Sequence, residues 1–149
     1  MNDPGPASQP ATQWHLWVIG AMALLWNSMG AYDYLMTETR NSSYMSAFTP
    51  AQLAYFYGFP AWVIATWALS VWGGVLGSMA LLLRRRWAVP VLALSLATLV
   101  ATFFHNFILS NGGAVMGGAG GLIFIAAIFL VAVALLIYAH RLARKGILR

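Results

Sequence analysis

The sequence predicts an all-α integral membrane protein, a four-helix bundle with a short interfacial helix in its first outer loop. Three observations point there. Of the 149 residues, 61% are hydrophobic and only 7% are charged, whereas soluble domains carry about 25% charged residues. No residue from 61 to 83 is charged, and Arg84, Arg85 and Arg86 then close the run. As a helix that stretch is about 34 Å long, enough to cross a hydrocarbon core of about 30 Å. The cations also cluster beside the ends of apolar runs, which is a topology signal and not the spread basic face of a nucleic-acid reader.

In chain order, residues 1–13 contain Pro4, Gly5, Pro6 and Pro10 among small polar residues and read as a disordered tail. They lack the cationic start of a signal peptide. The rest, 14–149, reads as one transmembrane domain. The first span covers 14–35, with Trp14 and Trp17 at one interface and Tyr32 and Tyr34 at the other. In the polar connection after it, Thr49, Pro50 and Gln52 form a helix start, with Thr49 as cap and Gln52 completing a capping box. Leu53, Tyr55, Phe56 and Tyr57 give that short helix a surface-seeking face. Pro60 opens the second span, 61–83. The arginine turn leads to a third span at 88–109, and a glycine-rich stretch separates it from a fourth at 121–139.

With four spans, both termini share a side with Arg84–Arg86. That side holds seven of the eight Lys and Arg residues, the other four being Arg141, Arg144, Lys145 and Arg149; only Arg40 lies opposite. The positive-inside rule then places both termini in the cytoplasm. The chain has no cysteine, which excludes disulfides and thiol chemistry.

Two patterns inside the spans are candidates for function. Thr66, Ser70, Gly73, Gly77 and Ala80 recur at helical spacing, and small residues let helix backbones approach closely in lipid. Such a stripe packs either within the bundle or against another chain. Leu81 falls about 80° round the helix from Gly77, towards the expected lipid side. Gly113, Gly117 and Gly121 form a second series, read either as an extension of the fourth span or as a loop.

The other pattern is polar. Ser95, Thr98, Thr102, His105 and Asn106 lie within about 100° of arc on the third span and should face the interior. Asn27 lies well inside the first span and needs a hydrogen-bond partner. These residues either bond between helices or line an outward polar cavity. Asp33 is about 28 Å along its helix from Trp14, and His105 about 27 Å from Trp87. The two therefore fall at one level and could pair, or Asp33 could pair with Arg40. No two His, Asp or Glu residues have metal-ligand spacing. His15 and His140 share a level but sit at span ends, so no metal, haem or other cofactor is expected. No nucleophile–base pair can be named, and no enzyme is expected.

The runs Trp26-Asn27-Ser28-Met29-Gly30-Ala31-Tyr32-Asp33-Tyr34-Leu35-Met36-Thr37, Pro60-Ala61-Trp62, Val71-Trp72-Gly73-Gly74 and Leu81 through Val89 carry a resemblance. Residues 14–149 resemble a family of small four-span proteins of proteobacterial inner membranes, some of them labelled "sugar transporter". In size and span count the chain is also similar to DoxX-like four-helix proteins. The resemblance implies a multi-pass protein of the bacterial inner membrane and carries over no functional residue.

Two functions are expected from the sequence. One is a non-enzymatic accessory or assembly component, docking a membrane-protein partner or a second copy of itself in the bilayer. The alternative is a transporter of a small polar, sugar-like solute through the outward cavity. Alkaline phosphatase fused after Asn41 is expected to be active, and fused after Arg86 inactive. The reverse pattern would invert the orientation.

Overall fold

The structure is a computed structural model that describes residues 14–116 and 118–149; the tail read at 1–13 lies outside the described residues. Every regular element described is helical. The helices are α1 (Trp14–Glu38), α2 (Ser42–Met45), α3 (Pro50–Tyr57), α4 (Ala61–Leu82), α5 (Ala88–Phe104), α6 (Gly112–Val115) and α7 (Gly118–Arg144). A π-helical stretch, His105–Leu109, continues α5 without a break. Three helices are long and apolar enough to cross a membrane: α4, α5 with its π extension, and α7. The 25 residues of α1 are long enough, but Asn27, Asp33 and Glu38 dilute its apolar character.

The helix ends have local causes. After α1, α4 and α7 the chain turns through a left-handed residue, at Arg40, Arg84 and Gly146 respectively. In each case the next N–H reaches back to a carbonyl five residues earlier: Asn41 to Met36 at 3.0 Å, Arg85 to Ala80 at 2.8 Å and Ile147 to Leu142 at 3.0 Å. This Schellman geometry pairs the otherwise orphaned last carbonyls. Only the third turn uses glycine.

Helix α4 is the centre of the bundle, packed against α1 on one side and α5 on the other. Helix α7 packs on α5, and reaches α1 through Trp26–Phe124 and His15–Tyr138 contacts. The small-residue stripe of α4 faces α5. A Cβ on Gly77 would lie 2.5 Å from Leu92 Cδ2, and one on Gly73 would lie 3.1 Å from Ser95 Cβ. Ser95 Oγ donates to the Ser70 carbonyl at 2.6 Å, and Thr102 Oγ1 donates to Thr66 Oγ1 at 3.0 Å. Ala80 is fully buried in the core. The neighbouring Gly74 and Ser78 face α1, where Asn27 fills the space above Gly74. Two close interfaces on one helix leave α4 one outer strip, with Leu69, Trp72, Leu76 and Met79 still exposed.

The apolar core sits at the arginine end. It joins Leu16 and Ala23 of α1, Ala80 and Leu81 of α4, Ala88 and Leu92 of α5, and Leu135, Ala139 and Leu142 of α7. Leu81, expected towards lipid, is 0% exposed. The expectation assumed one partner for α4; with α1 also packed on it, the side 80° from Gly77 is interior. Leu148 completes this core, because residues past Gly146 fold back on the arginine turn. There Arg86 N donates to Arg149 O at 2.8 Å and Arg149 N to Arg84 O at 2.6 Å.

Boundaries differ from the sequence reading at three places. Helix α1 runs on to Glu38, and α7 extends beyond 121–139 in both directions. Gly113 belongs to the separate α6 and Gly121 to α7, so the second glycine series does not share one helix; Gly117 lies outside the described residues.

Gly77→Leu is expected to destabilise the detergent-solubilised monomer by about 1–3 kcal/mol through overpacking. Leu81→Ala should cost about 2–5 kcal/mol through the cavity it leaves. Exposed Leu76→Ala should stay within about 0.5 kcal/mol. Equilibrium unfolding of the three variants checks this ordering.

Candidate functional site

The end of the bundle opposite the arginine turn is covered by α2 and α3. Each is built by its own cap. Asn41 Oδ1 accepts from Tyr44 N at 3.1 Å and starts α2. Thr49 and Gln52 form the reciprocal capping box expected from the sequence, at 3.3 and 3.0 Å, with Pro50 in the first helical turn. A cap holds so short a helix where its propensity alone would not.

Aromatic rings fasten this lid. Tyr32 of α1 meets Tyr44 at 5.7 Å, Tyr44 meets Phe48 at 5.8 Å, and Phe48 meets Phe56 at 5.4 Å. Phe59 then joins Tyr55, Phe56, Trp67 and His105 within 5.1–6.2 Å. Most of these pairs are edge-to-face, an arrangement worth about 0.5–1.5 kcal/mol each beyond burial. They run from α1 through both lid helices to α4 and α5.

Beneath the lid lies the π-helical stretch. Such a turn spaces its hydrogen bonds one residue wider than an α-helix and often marks a functional position. Tyr55 Oη of α3 lies 3.2 Å from Asn106 Oδ1 and 2.8 Å from Ser110 Oγ. Its single proton serves one of them at a time. Ser110 Oγ donates back to the His105 carbonyl at 3.0 Å, pairing a group freed at the helix end. His105 Nδ1 faces Asn106 Oδ1 at 3.2 Å, and the imidazole is boxed by Trp62 and Phe59. Gly112 is buried against this knot: a Cβ there would strike Tyr55 Oη and sit 2.5 Å from the Asn106 carbonyl.

The polar residues read from the sequence do not meet in one cavity. Asn27 is in the α1–α4 interface, donating to Ala23 O at 2.8 Å and Ser78 Oγ at 3.2 Å. Thr98 and Thr102 are in the α4–α5 interface, where Thr98 donates to its own helix carbonyls, Leu94 O and Ser95 O. His105 and Asn106 reach the lid at α3, and Asp33 reaches it separately at α2. Asp33 accepts a 2.6 Å hydrogen bond from Tyr44 Oη, and Arg40 lies over the Tyr57 ring at 4.3 Å. Asp33 therefore pairs with neither His105 nor Arg40.

The pairings across α4 show why the levels differ. Gly20 is level with Leu82 and Tyr34 with Trp67, whereas Thr102 is level with Thr66 and His105 with Trp62. Helix α1 thus starts about 9 Å beyond the end of α4, by about 1.5 Å per residue. That offset carries Asp33 about 9 Å below His105 along the bundle. Tyr44, Ser110 and Gly112, not singled out in the sequence, and Tyr55, read only as part of a surface-seeking face, are what hold this end together. The aromatic spacing of 44, 48, 55, 56 and 59 was the available signal.

Beside the lid an open depression of about 470 Å³ is lined by Tyr32, Met36, Asn41, Ser43, Tyr44, Ala47 and Phe48. Among the described residues, no three His, Asp or Glu side chains gather as metal ligands. Chemically, the lid end is a clamp of phenol, amide and hydroxyl groups, with the Asp33 carboxylate held by the Tyr44 phenol. Compared with models of protein families, with curated proteins and with solved structures, the chain matches none.

Burial pushes the Tyr44 phenol up to about 12 from an ordinary 10.0, and its hydrogen bond to Asp33 adds to the rise. Because the folded value is the higher one, this anchor is fully present below pH 10 and is lost as pH rises through about 12. A tyrosinate absorbance titration should show a phenol titrating near 12, and Tyr44→Phe should remove it. A titration unchanged by Tyr44→Phe would place the late phenol elsewhere.

Proposed function

We propose that this chain is a four-span protein of the bacterial inner membrane and acts as a non-enzymatic accessory or assembly component. In this reading α1 is the fourth span, the arginine end faces the cytoplasm and the lid end faces outward. The resemblance to small four-span inner-membrane proteins supports the same assignment. One observation carries the functional part. The side chains of Asn27, Thr66, Ser78, Ser95, Thr98 and Thr102 are all engaged in hydrogen bonds inside the bundle. A solute path needs polar groups free to exchange water for solute, and these are already committed.

The stripe of α4 is likewise taken up by α5, so it is not the surface offered to a partner. What remains open is apolar surface on the outside of every long helix, most of all on α1 and α7, with Leu25, Met29, Ile123 and Leu130 at 60–70% exposure. Such a surface suits lipid or a transmembrane partner.

Proteoliposomes carrying the purified chain are expected to show the same swelling in small polar solutes as empty vesicles. In native membranes, cross-linking is expected to give an assembly of fixed stoichiometry larger than the 16.2 kDa chain. Solute-dependent swelling, with the chain remaining monomeric, would replace this reading with the transporter.

A further inference from the structure

We propose that the arginine end is a built binding surface for the headgroup phosphate of an anionic phospholipid. The inference rests on the membrane reading and adds a ligand to it.

Seven cationic side chains are exposed at this end: Arg84, Arg85 and Arg86 from the turn, and Arg141, Arg144, Lys145 and Arg149 from the end of α7 and the residues beyond it. A topology signal requires only that such charges lie on one side. Here the backbone joins the two groups. The Arg86–Arg149 and Arg149–Arg84 hydrogen bonds, at 2.8 and 2.6 Å, strap residues 147–149 along the turn. Leu148, 1% exposed, pins the strap into the core beside Ala88 and Leu142. Two cationic segments distant in sequence thus become one array.

No acidic side chain among the described residues lies at this end: Asp33 and Glu38 lie towards the opposite end of α1. The turn part of the array, Arg84–Arg86, is also recessed, while Arg141 and Arg144 belong to the end of α7 beside it. Helix α1 runs about 9 Å past the end of α4, and the His15–Tyr138 hydrogen bond of 2.7 Å shows that α7 runs past it too. The arginine turn therefore sits between two projecting helix ends.

The surroundings select a lipid. Trp14, Trp17, Leu83 and Trp87 are 68, 53, 64 and 46% exposed at the same end. Indoles beside guanidinium groups match the boundary between headgroup and acyl chain. Guanidinium binds phosphate oxygens through paired N–H donors, and basic recesses between transmembrane helices bind anionic headgroups in this way. Phosphate on the arginines with acyl chains along Leu83 and the tryptophans uses both halves of the surface.

The test uses the full chain in nanodiscs of equal parts phosphatidylglycerol and phosphatidylcholine, released gently and weighed by native mass spectrometry. Phosphatidylglycerol adducts are expected to exceed phosphatidylcholine adducts about tenfold. Excess inorganic phosphate should leave them in place, since it cannot use the apolar rim. Leu148→Asn keeps all seven cations but releases the strap, and should lose most of the preference. Should that variant not fold, Arg84→Gln with Arg86→Gln leaves the core intact and should lose it as well. Equal adducts of both lipids, displacement by phosphate, or full preference in a folded Leu148→Asn or in the arginine double variant would overturn the proposal. Entry into nanodiscs with equal adducts leaves the membrane reading standing. Failure to enter them overturns both.

Discussion

Helix α4 has to accept close neighbours on two sides, and the rest of the bundle depends on that. Gly73 and Gly77 admit α5, and Gly74 admits the Asn27 side chain from α1. In lipid, helices gain little by hiding apolar surface, because the tails are as apolar as leucine; they gain by packing and by hydrogen bonds between them. Close approach supplies the first, and makes the second available. Ser95 reaches the Ser70 carbonyl, and Asn27 reaches Ser78, only because no side chain intervenes at the glycines between them. The polar groups of the interior follow from the glycines of one helix.

The two ends of the bundle are closed by different chemistry. At the arginine end an aliphatic core of leucine and alanine reaches Leu148, and the returning chain seals it by backbone hydrogen bonds. At the lid end the closure is aromatic, with rings from α3, α4 and the π-helical stretch meeting edge to face around Phe59. The π-helical stretch lies beneath this closure, where the His105 and Asn106 carbonyls accept from Ser110 Oγ and Ser110 in turn meets Tyr55 Oη. The bundle thus has a glycine-packed middle, an electropositive end and an aromatic end.

Sequence order was sufficient for features set by neighbours in the chain. The apolar run closed by Arg84–Arg86 marks α4, and Thr49, Pro50 and Gln52 mark α3 through a capping box that needs only local geometry. The facing of Thr98, Thr102 and Ser95 into the bundle follows from helical period and the cost of polar groups in lipid. The small-residue stripe likewise follows from period alone.

Tertiary structure decided everything that depends on where one helix stops against another. Asp33 and His105 have nearly equal distances from their helix starts, yet α1 begins about 9 Å beyond α4 and the pair is separated by that offset. Leu81 looks outward when α4 has one neighbour and is interior when it has two. Tyr55 and Ser110, far apart in the chain, meet because α3 folds over the end of α5. Helical period determines which residues share a face, since that is a property of one helix. Register and the number of neighbours are properties of pairs of helices, fixed by which side chains leave room for which backbones, and no single segment carries them.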